Sequence, residues 1–199
     1  MPYPPVDHGS GSKYNPLRAR TLIPPGAFNP VRIQSRSARS GRHFRLAIPE
    51  GISLFDGISQ ALAHHQVASA SMTLLGSRFS YIEYCTAPPD PRQQTIVRYT
   101  SAIPLHQAYM VFGNATLGKS AVGEPLIHCH AAVTDEYGTP YGGHILTQNA
   151  IVGPGGVSIL VLSLDNFELR VAFDPETNQS LLQPHDIEPA GQPAQARNA

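Results

Sequence analysis

Apolar and polar residues alternate in short runs over most of the chain, and this period-two pattern predicts strands. The runs are Phe44–Ile48, Ala70–Leu75, Phe79–Thr86, Thr95–Thr100, Ala108–Leu117, Leu126–Thr134, Tyr141–Asn149, Val157–Leu164 and Phe167–Phe173. They are rich in Val, Ile, Leu, Thr and Tyr, and Gly, Pro or Asp separates them. Ser163–Asn166 reads as a turn between two of them. One stretch breaks the pattern. Over Ser53–Gln66, residues Leu54, Phe55, Ile58, Ala61, Leu62 and His65 recur at helical spacing. Ser53 is a natural N-cap, and Asp56 suits the positive end of the helix. One main helix and about eight strands predict an α+β domain on a mostly antiparallel or mixed sheet.

The ends look different. Residues 1–30 are rich in Pro, Gly, Ser and Asn and hold few periodic apolar residues, so they bury too little surface to offset their ordering entropy. The expected organisation is an extended basic arm over 1–39, a domain over 40–176 and a C-terminal tail over 177–199, with order in the tail near Leu181 and Leu182. Only 14% of residues are charged, two are Lys, and there are 17 Gly and 19 Pro, which excludes a coiled coil. No run of 18 apolar residues predicts a membrane helix, and no apolar segment near the start reads as a secretory signal. Two cysteines, Cys85 and Cys129, cannot build a disulfide scaffold. These features together predict a soluble cytoplasmic protein.

Net charge is zero but unevenly placed. Residues 1–45 hold eight basic side chains (Lys13, Arg18, Arg20, Arg32, Arg36, Arg39, Arg42 and Arg45) against the single acid Asp7, so this part is +7 and the rest −7. Such an arm could meet nucleic acid, its own body or a neighbouring subunit.

The chemistry concentrates in Pro125–Asn149, PLIHCHAAVTDEYGTPYGGHILTQN. Gly138 suits the left-handed position that ends a three-residue hairpin loop, Glu136-Tyr137-Gly138. Asp135 then pairs with Thr139, residue i faces residue 274 − i, and His130 falls opposite His144. His128 and His130, two apart on a strand, share a face with Cα atoms about 6.5–7 Å apart. His144 joins them across the hairpin, with Cβ atoms roughly 5 Å from those of its partner. Three imidazoles plus one water make a known zinc arrangement, with bonds of about 2.0–2.1 Å. Copper, iron and nickel also accept imidazole, and zinc is the default. Gly142 and Gly143 allow a bulge, and a one-residue slip would flip the face. Cys129 points the opposite way and is expected in the core.

Other titratable residues point elsewhere. His64 and His65 end the helix, where a cation suits its dipole. His43 enters the first strand, His106 sits in a loop, and His8 and His185 lie in the ends. Asp135 is expected to serve the turn, with Glu124 in a loop and Glu83 on a strand as further acid–base candidates. Arg42, Arg45 and Arg98 could hold a carboxylate substrate. No Ser–His–Asp set, phosphate loop or kinase signature is present.

In order along the chain, His43-Phe44-Arg45-Leu46 with Pro49-Glu50-Gly51, the helix Ser53–Gln66, Ala68–Gly76, Phe79–Tyr84, Gly113-Asn114-Ala115, His128-Cys129-His130 with Tyr141-Gly142-Gly143-His144, and Phe173–Thr177 through Leu182 resemble blocks of the plants-and-prokaryotes-conserved (PPC) domain. The H-x-H…GGH element is the specific one. The resemblance covers residues 43–182 and is to bacterial stand-alone members. It implies a homotrimer whose three histidines, His128, His130 and His144, form a zinc site. Plant members couple the domain to AT-hooks with an Arg-Gly-Arg-Pro core and bind AT-rich DNA. This sequence has no such core: Ser40-Gly41-Arg42-His43 lacks the proline and the first arginine.

Three readings of function follow. The first is a three-histidine metal protein, with zinc or another divalent ion, that binds or transforms a small molecule, with anionic molecules among the candidates. The second is a DNA-binding or nucleoid-associated regulator, to which neutral net charge is a disadvantage because phosphate contacts dominate DNA affinity. The third is a structural trimeric module. The reaction, if any, is not legible in the residues.

Overall fold

The computed structural model describes residues 22–30, 34–38 and 40–187. The elements run β1 (His43–Ile48), α1 (Leu54–His64), β2 (Ala70–Leu74), β3 (Ser77–Cys85), β4 (Ile103–Lys119), β5 (Pro125–Thr134), β6 (Pro140–Ile145), a single 3-10 turn (Thr147–Asn149), β7 (Ile151–Val152), β8 (Val157–Ser163), β9 (Phe167–Asp174) and β10 (Gln179–Asp186). The expected α+β class with one helix and a mostly antiparallel sheet is what forms, with ten strands among the described residues. No helix among them is long and apolar enough to cross a membrane.

The 17-residue β4 organises the sheet. Its first half pairs with β3 and its second half with β2 along one edge, while β5 runs along the other. β6 joins β5 to the end of β3, so the pairings β3–β4, β4–β5, β5–β6 and β6–β3 close a ring. Ring closure leaves those strands few open edges. β2 carries the sheet on to β8 and β1.

α1 covers this outer part. The Ser53 hydroxyl accepts the Asp56 N–H at 3.0 Å, and the His65 N–H closes the other end on Ala61 O. Leu54, Ile58 and Leu62 are fully buried, and Phe55 and Ala61 pack against the same core. His65 is exposed and caps the helix, as its position predicted.

Three expectations are corrected. Thr95–Thr100 is not a strand but part of a loop over 86–102, with one isolated bridge between Pro89 and Val97. Pro88, Pro89 and Pro91 withhold N–H donors from the facing segment. The loop instead winds around the Asp90 carboxylate, which accepts the N–H groups of Arg92, Gln94 and Thr95 at 3.0–3.1 Å. His106 lies within β4, its ring 5.0 Å from that of Tyr81, and not in a loop. The sheet also continues past residue 176: Gln179–Asp186 pairs along its whole length with β9. Asn178, at φ 53°, takes the left-handed corner of that hairpin.

Part of the expected arm lies against this hairpin. Gly26 N–H donates to Glu176 O at 2.9 Å, Gln34 meets Gln183 at 3.0 Å, and Arg36 pairs with Asp186 at 2.8 Å. Lys13, Arg18, Arg20, Arg32 and Arg39, with the tail beyond residue 187, fall outside the described residues.

Candidate metal centre

The β5–β6 hairpin forms with the register read from its loop. Asp135 N–H donates to Thr139 O at 3.1 Å, and Gly138 has φ 82°. His130 pairs directly with His144. The same register extends across four strands, placing Asn114, His130, His144 and Cys85 in one row. His128 lies two residues along β5, opposite Thr116 of β4.

The three imidazoles converge on one patch. Ring centroids are 4.8 Å apart for His128–His130, 4.7 Å for His128–His144 and 5.5 Å for His130–His144. One nitrogen from each lies within 4.8 Å of those from the others. His128 and His144 are half-buried, and His130 is exposed. Burial and then the neighbouring imidazoles hold the His144 pKa down to about 4; burial and then His130 depress His128. Both rings are therefore neutral near pH 7, the state in which imidazole offers a lone pair to a metal. Among the described residues Nδ1 of His144 is buried with no hydrogen-bond partner. Leaving such a group unsatisfied costs roughly 1–3 kcal/mol, a cost that an ion coordinated by that nitrogen would remove. The donor set thus suits a divalent ion of the imidazole-accepting kind. Cys129 is fully buried on the opposite face, as expected.

Gly143 explains how His144 reaches this patch. A Cβ built on it would stand 2.4 Å from Cys85 O, so β6 approaches β3 this closely only with glycine at that position.

Of the acid candidates, Asp135 and Glu83 are otherwise engaged. Burial raises the Asp135 carboxyl, but hydrogen bonds from Thr139, Tyr137 and Tyr141 outweigh it and leave the group below its ordinary value. It holds the turn. Glu83 accepts from Tyr81 and Asn149, which lower its pKa, and Glu124 lies in the β4–β5 loop, where its N–H donates to Ser120 Oγ. Of the three arginines expected to clamp a carboxylate, Arg98 lies exposed in the 86–102 loop next to Tyr99, its N–H donating to Pro88 O at 2.9 Å, and the other two are placed elsewhere. Arg42 pairs with Asp165 at 3.0 Å and donates to His65 O, while Arg45 donates to Ser158 Oγ. Both sit at the β1–β8 side of the sheet.

Two features were not legible as site components. Tyr99, inside the misread strand, places its ring 5.4 Å from His144. It stands there because the loop is bound to the β9–β10 turn: Ile96 N–H donates to Thr177 O at 3.0 Å, and Gln179 Nε2 to Val97 O at 2.8 Å. Tyr99 lines a small pocket of about 310 Å³ reaching Cys85 and His144. It also lines a cleft of about 720 Å³ that reaches His128 and is walled by Leu126, Leu169, Val171 and Leu182. Signals of this wall existed in the order expected at Leu181 and Leu182, but nothing in the sequence tied them to the histidines.

The Plants and Prokaryotes Conserved (PCC) domain model, the family written PPC above, matches residues 35–163. Among curated proteins, none matches the chain. Similar solved structures include a metal-containing protein from Archaeoglobus fulgidus, 21% identical over 76% of this chain and 98% of that one, with a TM-score of 0.55. A plant- and prokaryote-conserved protein from Pyrococcus horikoshii is 18% identical over 76% and 96%, with a TM-score of 0.53. A protein from Ralstonia eutropha JMP134, named as a candidate DNA-binding protein, is 21% identical over 70% and 89%, with a TM-score of 0.55. At these identities the structures speak for the fold alone. The family match, covering well over half of the 199 residues, settles membership: this chain belongs to the Plants and Prokaryotes Conserved domain family.

Proposed function

We propose that the chain is a metal-dependent ligand-binding protein in which His128, His130 and His144 hold one divalent ion, zinc by default. The convergence of the three imidazoles carries this reading, and the buried Nδ1 of His144, without a hydrogen-bond partner among the described residues, supports it. It also gains support from the Archaeoglobus relative of the same fold, which is described as metal-containing. Three protein ligands leave a coordination position for a small molecule. An ion held there can polarise a carbonyl or lower the pKa of bound water. The chain's own residues orient the ligand through the cleft walls and Tyr99. The working form is proposed to be a homotrimer; exposed Tyr109, Val111 and Phe112 on β4 offer apolar contact area for it.

Elemental analysis of protein purified without chelators tests this. About one zinc or similar ion per chain is expected, and His128→Ala, His130→Ala or His144→Ala should each weaken metal affinity at least 100-fold, because an incomplete set leaves two ligands. Protein that contains no stoichiometric metal and takes none up overturns the proposal.

The DNA-binding reading rests on the +7 charge of residues 1–45 and the name of the Ralstonia relative. The three described arginines of that region, Arg36, Arg42 and Arg45, are all engaged by partners on the body. Tight, salt-dependent binding of duplex DNA near physiological ionic strength would establish this reading instead.

A further inference from the structure

The larger cleft assigns a chemical class to the ligand. It lies between the β9–β10 hairpin and the β4–β5 part of the sheet, with Tyr99 at one end and His128 in its wall. Its remaining polar lining is Thr116, Gln179 and Ser180, and among the described residues no Asp, Glu, Lys or Arg lines it. The alternation of β9 explains this. Leu169 and Val171 share the cleft face, while Glu168 and Arg170 lie on the other. There Glu168 accepts from Lys119 at 2.6 Å and from Arg170 at 2.7 Å, so the nearest cations of this wall are already paired. Arg42 and Arg45 are paired at the β1–β8 side of the sheet, and Arg98, although next to Tyr99, is exposed and does not line the cleft.

An ion on three neutral imidazoles keeps its full positive charge, and no carboxylate in this lining offsets it. Beside an apolar wall, where water screens less, that charge favours an anionic oxygen ligand. The same wall penalises a second charge farther along the ligand, because among the described residues no charged side chain lines the cleft to pair it. A volume of about 720 Å³ accommodates a small organic molecule.

We infer that the cleft takes a monocarboxylic acid with an uncharged, hydrocarbon-rich tail, the carboxylate on the ion at the histidines and the tail between Leu126, Leu169, Val171 and Leu182. This rests on the metal reading above. In it the metal, and not an arginine, recognises the carboxylate.

The test is calorimetric titration of the full chain, after its metal content has been measured, with butanoate, hexanoate, octanoate and octanedioate. Octanoate should bind the metal-loaded protein at least 100-fold more tightly than the chelator-treated protein. From butanoate to octanoate each added methylene should tighten binding about three- to four-fold, the equivalent of burying it. Octanedioate should bind at least ten-fold more weakly than octanoate. Val171→Glu and Leu126→Glu, two variants on different walls, should each lose octanoate while keeping one metal per chain. Equal octanoate binding with and without metal, a flat chain-length series, or octanedioate binding as tightly as octanoate overturns the inference while leaving the metal centre standing. A chain that takes up no metal overturns both, and the metal measurement distinguishes that failure from the others.

Discussion

Two hairpins frame the candidate site, and they are built on different principles. The β5–β6 hairpin is specified locally. A three-residue loop ending in Gly138 sets the register, and the register places His130 against His144. The β9–β10 hairpin is equally regular, pairing Asp174 with Gln179 through to Phe167 with Asp186. Its usefulness, however, depends on distant partners. It touches β4 through one parallel pairing, Lys119 with Arg170, and through the ion pair of Lys119 with Glu168. Its turn is bound to the 86–102 loop and to the segment around Gly26. The first hairpin supplies the coordinating groups, and the second supplies a wall. Chemistry that needs three side chains at fixed separation sits on the strongly paired element, while the adaptable apolar surface sits on the loosely attached one.

The largest way to break this contrast is Gly143→Ala. Its new Cβ would meet Cys85 O at 2.4 Å, a backbone atom that cannot swing aside. We expect a loss of about 1–3 kcal/mol, as for other overpacked sites, with weakened metal uptake because His144 is the next residue. Chemical denaturation and metal titration check this. Full stability with full metal binding would show that β6 can move away from β3 without disturbing the site.

A pH effect of intermediate size sharpens the same contrast. The His144 pKa, ordinarily near 6.5 in an unfolded chain, is about 4 in the fold. Between those values the unfolded chain binds the proton and the folded one does not, so metal-free protein should lose stability as pH falls from about 6.5 towards 4. Above 6.5 the group contributes no slope. Melting of chelator-treated protein across this range should therefore be steeper for the native chain than for His144→Gln. Carboxyls held low by hydrogen bonds, such as Asp90 and Asp174, act in a lower window. Identical profiles for the two proteins would contradict the burial of a neutral His144.

The smallest expected effect is Glu168→Gln. It removes both ion pairs of Glu168, but Lys119 and Arg170 are each about one-third exposed, so the cost should stay at or below about 1 kcal/mol. Metal content should not change. A loss of metal in this variant would mean that the second hairpin holds up the first.

From the sequence alone came the helix, most strand centres, the 274 − i register and the convergence of His128, His130 and His144. Each depends on residues within about twenty positions of one another, where periodicity, capping and loop length act directly. Only the tertiary structure decided the rest. The Thr95–Thr100 run had strand composition, yet Pro88, Pro89 and Pro91 and the carboxylate of Asp90 made it a loop. Arg42 and Arg45 had the right chemistry for a carboxylate, yet Asp165 and Ser158, more than a hundred residues away, engage them. Tyr99 beside His144, and Leu169 and Leu182 beside His128, come together only through contacts between segments far apart in the chain. Such pairings arise when sheets close and hairpins pack, and no local period in the sequence encodes them.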